Sequence, residues 1–138
     1  MSATQDKPLP TVTDMTRPFW EGAHDGRLMM QKCRHCQTVN FHPKPWCIEC
    51  ASRDLVWTEM KPAGIVYSYT VSHAVAMNHM GWKDDLPVIL ALVDIDDGAR
   101  MYAQVTHAAP ADMKIGMRVT AHFETIADGI GIPKFRPE

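Results

Sequence analysis

Cys33-Arg34-His35-Cys36 and Cys47-Ile48-Glu49-Cys50 hold all four cysteines of the chain, as two Cys-x-x-Cys pairs ten residues apart. A Cys-x-x-Cys turn sets two sulfurs on one side of a tight bend. Two such turns facing each other supply the tetrahedral four-thiolate cage that Zn²⁺ prefers. The spacing predicts one structural zinc with Cys33, Cys36, Cys47 and Cys50 as its ligands. It also takes every thiol out of nucleophilic chemistry, because a closed four-sulfur site leaves neither a free thiolate nor a water position. An iron site of the rubredoxin kind, disulfides and a redox dithiol are the alternatives that the residues alone leave open. His35 could serve as a ligand only if one cysteine did not. Gln37 and Ala51 follow the two pairs, where glycine often stands because φ is positive there, so both turns are expected to be strained or differently shaped.

Outward from the knuckles, Leu28–Lys32 reads as a strand leading in and Val39-Asn40-Phe41 as the strand leaving. His42-Pro43-Lys44-Pro45 turns the chain into the second pair, and Leu55–Glu59 exits. Residues 28–60 are therefore expected to form a zinc ribbon. Its large apolar residues, Phe41, Trp46, Leu55 and Trp57, are too few for an independent core. The metal then carries much of its stability, on the order of 10 kcal/mol in small zinc modules. Residues 1–15, with Pro8 and Pro10 and no periodicity, read as a mobile tail. Residues 16–27 read as a helical segment, with Thr16 as N-cap, Pro18 in the first turn, and Phe19, Ala23 and Leu28 on one face. Trp20 points elsewhere, either under the ribbon or into a partner or ligand groove.

Past Lys61 the pattern becomes β. Ile65, Tyr67, Tyr69 and Val71 alternate with Val66, Ser68 and Thr70, and Val88–Val93 is continuously apolar. Asp96-Asp97-Gly98 predicts a hairpin turn with Gly98 free to take positive φ, and Met101–Thr106 returns. Ile115–Val119 opens a strand running to about Thr125, Asp128-Gly129 turns it, and Ile130–Phe135 closes the set. Five short strands with one long gap predict a small closed barrel over residues 61–138, in a mainly β protein. The gap, residues 73–87, is read as structureless. Its Met77, Met80 and Trp82 either cover the barrel mouth or meet a partner or fatty ligand.

With 138 residues the chain can bury one real core, and no run approaches the ~18 apolar residues of a membrane span. Its first residues lack the charged-then-apolar build of a secretory signal, so a reducing cytoplasm is the expected location. Charge is uneven. Residues 26–61 carry six basic and three acidic side chains, residues 62–138 six and nine. A zinc with four thiolates adds about −2 locally, so the basic segment mostly offsets its own metal site and little field remains for a nucleic-acid backbone.

No Gly-x-Ser-x-Gly elbow, phosphate loop or paired-carboxylate signature occurs, and the acidic turns lack calcium-loop spacing. The histidines show no metal-ligand spacing. His73 and His79, with Asp84 or Asp85, are the best acid–base candidates of a weak set. No catalytic residue is assigned, and by its own chemistry the chain reads as a binder.

Phe19-Trp20-Glu21, Gly26-Arg27-Leu28, the two knuckles with Pro43 and Pro45 between them, Gly64–Val71, Leu86-Pro87, Asp97-Gly98, Ile115-Gly116-Met117 and Pro133-Lys134-Phe135-Arg136-Pro137 follow in one order. Together they resemble, from about residue 16 onward, the zinc-ribbon OB-fold family called domain of unknown function 35. The resemblance implies an N-terminal helix, a rubredoxin-like zinc ribbon and a C-terminal five-stranded OB-fold barrel. It further implies a non-catalytic accessory subunit that associates with a thiolase-like enzyme and helps bind or channel acyl-CoA in acyl or sterol metabolism, as a hetero-oligomer. Lys32, Arg34, Arg53, Lys134 and Arg136 are the cations available for the phosphates. Two other readings are a single-stranded nucleic-acid module, since OB barrels and zinc ribbons both bind single strands, and a free-standing acyl-CoA thioesterase or hydratase.

Overall fold

The computed structural model describes residues 7–75 and 80–138. A helix α1 (Arg17–His24) is followed by a three-stranded antiparallel sheet of β1 (Leu28–Cys33), β2 (Val39–Asn40) and β3 (Leu55–Met60), in the order β2-β1-β3. Five further strands close a barrel: β4 (Ala63–Ser72), β5 (Val88–Ile95), β6 (Arg100–Val105), β7 (Arg118–Ala127) and β8 (Ile130–Pro137). Their order is β4-β5-β6-β8-β7, with β7 returning to β4 and one parallel contact, Val105 with Phe135, joining β6 to β8. That order, with its parallel third-to-fifth pairing, is the OB arrangement.

Alternation along the strands puts Val66, Val93, Met101, Val119 and Phe135 inside the barrel, each almost fully buried. The period-two reading of β4 breaks at one point. The register against β5 slips between Val66 and Ser68, and Tyr67 is the extra residue. A bulge of this kind reverses which side chains face in. Ile65 and Tyr67 therefore stand outside, 40% and 50% exposed, while Tyr69 and Val71 pack on the core. The bulge's backbone is satisfied from the turn before β7: the Gly116 N–H donates to the Val66 carbonyl at 2.8 Å, and the Val66 N–H to the Met117 carbonyl at 3.0 Å. Residues 115–117 are thus a turn with Gly116 at φ +91°, not the start of β7, which opens at Arg118.

Ribbon and barrel share one core. Leu28, Met30 and Met60 of the ribbon join Val66, Ile95 and Met101 of the barrel in a single apolar cluster. Gly98 is where they press closest. A Cβ there would lie 3.0 Å from Met60 Sδ and 3.1 Å from Met30 Sδ. Gly98 sits in a tight space and does not adopt the positive φ expected from the turn sequence.

Helix α1 packs on β1 and on β7 and β8, burying Phe19 and Ala23. Thr16 stands at the cap position but its side chain caps nothing; its hydroxyl receives the Thr13 N–H at 3.0 Å instead. The gap before β5 contains a short 3₁₀ helix, Met80–Asp85, so it is not structureless, while Met77 and His79 lie outside the described residues. Lys7–Pro10, which the sequence placed in a tail, line a cavity on the barrel side. Among the described residues no helix is long and apolar enough to cross a membrane.

Two predictions follow from this packing. A Cβ on Gly131 would lie 2.4 Å from the His24 backbone nitrogen and 2.6 Å from the Ala23 carbonyl carbon. Gly131→Ala should therefore lift α1 off the barrel and cost about 1–3 kcal/mol in denaturant unfolding. Arg118 grips both oxygens of Asp96, at 2.7 and 2.8 Å, and Glu138 at 2.9 Å. The Arg118 hydrogen bonds hold the Asp96 carboxyl below its ordinary value of 3.8. A lowered carboxylate stabilises the fold above its unfolded-state range and loses that contribution as pH falls through its folded value. Asp96→Asn should thus lower Tm at neutral pH, with the deficit shrinking as pH drops below about 3.9.

Candidate functional site

The two knuckles have the same backbone construction. In the first, the Gln37 N–H donates to the Cys33 carbonyl at 2.9 Å and the Cys33 N–H to the Thr38 carbonyl at 2.9 Å. In the second, the Ala51 N–H donates to the Cys47 carbonyl at 2.9 Å and the Cys47 N–H to the Ser52 carbonyl at 2.8 Å. Gln37 and Ala51 sit at φ 67° and 62°, so the left-handed geometry is present with side chains in place of glycine. Each carries the cost that such residues accept only when surrounding structure holds them.

This construction gathers the sulfurs. All four Sγ atoms lie within 4.8 Å of one another, with Cys33–Cys50 and Cys36–Cys47 both at 3.6 Å. A tetrahedral site with Zn–S bonds of about 2.3 Å has S···S edges of about 3.8 Å, so the spacing fits one zinc. A disulfide needs about 2.05 Å, and no pair of these free cysteines approaches that.

The charges point the same way. Burial pushes the Cys47 thiol up, but the Cys50 and Glu49 backbone N–H groups and the Asn40 amide outweigh it and bring it down to about 6. The Cys36 backbone N–H lowers Cys33 against its burial. Cys50 goes the other way: the Ser52 N–H favours its thiolate, but burial and the three neighbouring sulfurs raise it. Four sulfurs this close cannot all ionise without a cation among them.

Asn40 completes the site, and the sequence did not single it out. It is fully buried, its Nδ2 lies 3.6 Å from Cys47 Sγ, and its Oδ1 accepts the Ile48 N–H at 2.9 Å. It therefore ties β2 to the second knuckle. Its position at the end of β2, seven residues before Cys47, is not distinctive in the sequence.

The second feature is an apolar groove. β6 and β8 meet only at Val105 and Phe135 and diverge from there. A cavity of about 390 Å³ fills the divergence, walled by Phe19 and Trp20 of α1, Phe41 and Pro43 of the ribbon, and Tyr102 and Ile132 of the barrel. A second cavity of about 390 Å³ continues toward β7 beneath Lys7–Pro10. Trp82 borders both, and also a smaller one of about 160 Å³ beside Leu86 and Leu90. Trp20 thus both packs against the common core and lines the groove.

The remaining candidates separate. Lys134 is buried in the groove wall, with Nζ 2.5 Å from Glu124 Oε2, and Arg34 pairs with Asp54 at 2.8 Å, so neither is a free cation. Arg53 and Arg136 are exposed and Lys32 is half-buried. His73 is exposed, and Asp85 pairs with Lys7. His107 and His122 meet at Thr106, whose hydroxyl lies 2.8 Å from His107 Nδ1 and 2.6 Å from His122 Nε2.

A zinc ribbon joined through a common core to an OB barrel defines the class of protein. Residues 20–56 match the family described as the ChsH2 rubredoxin-like zinc ribbon domain, and residues 57–124 the ChsH2 C-terminal OB-fold domain. The chain belongs to this DUF35 family. A DUF35 domain-containing scaffold protein of Methanocaldococcus jannaschii is 31% identical over 70% of this chain and 67% of its own length. A probable enoyl-CoA hydratase alpha subunit of Thermomonospora curvata is 31% identical over 95% of this chain, which spans only 40% of that protein. The solved Ltp2–ChsH2(DUF35) aldolase contains a chain 30% identical, with TM-score 0.80 over 94% of this chain and 98% of that one. The family's zinc ribbon and the four gathered cysteines make structural zinc the cofactor.

Purified protein should carry about one zinc per chain by metal analysis. Cys47→Ala should abolish that content and unfold the ribbon, read as lost β signal and lower solubility. Chelation of the wild type should have the same effect.

Proposed function

We propose that this chain is a non-catalytic accessory subunit that associates with a thiolase-like enzyme and helps hold an acyl-CoA in lipid metabolism. In this reading Cys33, Cys36, Cys47 and Cys50 hold one zinc that acts as scaffold, and the chemistry belongs to the partner. The observation that carries it is the groove. It is apolar and built jointly by helix, ribbon and barrel. Support comes from relatives described as hydratase alpha subunits and scaffold proteins, and from the aldolase structure that pairs a DUF35 chain with Ltp2.

The outer face of β4–β6 is a fitting place for the partner. Ile65, Tyr67 and Tyr102 are 40 to 51% exposed there, and Tyr102 also walls the groove. Arg100 on that face is committed twice, to Asp94 at 2.6 Å and over the Tyr67 ring at 3.4 Å. A face whose cation is already neutralised offers little to a phosphate backbone, which favours protein contact over single-stranded nucleic acid. A reducing cytoplasm suits four metal-bound thiolates.

Co-expression with a thiolase-like enzyme encoded beside it should yield a stable hetero-oligomer by size-exclusion chromatography, with acyl-CoA turnover altered relative to the enzyme alone. The isolated chain should turn over no acyl-CoA. A pair that neither associates nor changes in turnover, or a chain active by itself, would overturn the proposal.

A further inference from the structure

The barrel closes between β6 and β8 at a single point, where Val105 faces Phe135 and the Thr106 N–H donates to the Phe135 carbonyl at 2.7 Å. The hydroxyl of the same Thr106 lies 2.6 Å from His122 Nε2 on β7 and 2.8 Å from His107 Nδ1. One residue thus ties the end of β6 to β8 through its backbone and to β7 through its side chain. The two imidazole rings stand edge to face, 5.4 Å between centres. His107 holds its place with a left-handed backbone, φ 58°, which a non-glycine residue keeps only where its surroundings impose it. None of the three residues belongs to the four-sulfur site or lines the cavities described above.

A hydroxyl has one proton to give. With both rings neutral it donates to one imidazole nitrogen and accepts the N–H of the other, and every group is satisfied. One charge is also accommodated: a His107 imidazolium donates through Nδ1, and the hydroxyl still donates to a neutral His122. Two charges are not. Both nitrogens then carry protons, the hydroxyl proton finds no acceptor between them, and two cationic rings face each other.

The surroundings sharpen this limit. Lys134 and Arg136 of β8 add positive charge at His122, and the opposing carboxylate, Glu124 of β7, is already bound by Lys134. Burial, then His107, Arg136 and Lys134, hold the His122 ring below its ordinary value of 6.5, against Glu124. A lowered imidazole stabilises the closed state above the unfolded-state value of about 6.5 and loses that contribution as pH falls toward its folded value. The same cations disfavour a metal ion here, so the proton is the ligand that this chemistry suits.

We infer that Thr106, His107 and His122 form a pH-sensitive clasp on the barrel seam. It stays shut with at most one ring charged and releases when both are, freeing β6 from β8 where the groove between them begins. Gln104, two residues before Thr106, and Lys134, paired with His122 across the strands, both line that groove, so release widens it.

The test is amide hydrogen exchange of the full zinc-loaded chain between pH 7 and pH 5, corrected for intrinsic rates. Protection of the Thr106 N–H should fall by up to about tenfold per pH unit below about 6.5, the slope of one proton taken up on opening. The Val66 N–H, bonded to the Met117 carbonyl, is the internal reference and should keep its protection. His122→Gln places a non-titrating amide at the hydroxyl and should flatten the Thr106 profile. His107→Gln, at an exposed position, gives a second readout: with a neighbouring charge removed, the His122 ring should titrate at higher pH by NMR. Zinc content serves as the folding control for both variants. A Thr106 amide whose protection ignores pH overturns the inference, as does an equal fall at Val66, which reports general loosening of the fold. A folded His122→Gln that keeps the wild-type slope overturns it too, and so does an unmoved His122 titration in His107→Gln.

Discussion

Four sulfurs brought within 4.8 Å of one another are the constraint on which the ribbon depends. Thiolates at that distance repel, and hydrogen bonds from backbone N–H groups and Asn40 lower Cys33 and Cys47 while the neighbouring sulfurs raise Cys50. A divalent cation among them removes the conflict and locks both knuckles, including the left-handed residues Gln37 and Ala51. Without it, the knuckles would rest on a three-stranded sheet whose β2 is only two residues long.

The consequence extends beyond the ribbon. Phe41 and Pro43, in the segment between the knuckles, form one wall of the groove, and Met30 and Met60 press on the barrel at Gly98. The segment between the knuckles therefore lines a cavity that none of the four cysteines reaches. Helix α1 is the wedge in this arrangement. It lies directly on Gly131, buries Phe19 in the common core, and turns Trp20 into the groove.

The knuckles and the strands of the barrel were legible in the chain because each is a local pattern. Cysteine spacing sets sulfur geometry within a turn, and apolar alternation sets strand faces. Where these readings failed, the cause lay elsewhere in the fold. β4 loses its alternation at Tyr67 because a bulge there is satisfied by the backbone of Gly116 and Met117, some fifty residues on. Gly98 looked like a conformational glycine, yet its φ is not positive and it lies close against Met30, Met60 and Ile95. Lys134, one of the cations available for phosphates, is buried against Glu124, and Arg34 pairs with Asp54 on the surface.

By itself the sequence predicted a four-cysteine metal site, the ribbon and the barrel, which are written in spacing and periodicity along the chain, and its ordered motifs carried the resemblance to the family. Only the tertiary structure decided that Trp20, Trp82, Gln104 and Lys134 share one groove, and that Asn40 stands behind a sulfur. The four groove residues come from a helix, a 3₁₀ turn and two strands. What unites them is the divergence of β6 from β8, a property of barrel closure that no local stretch of residues encodes.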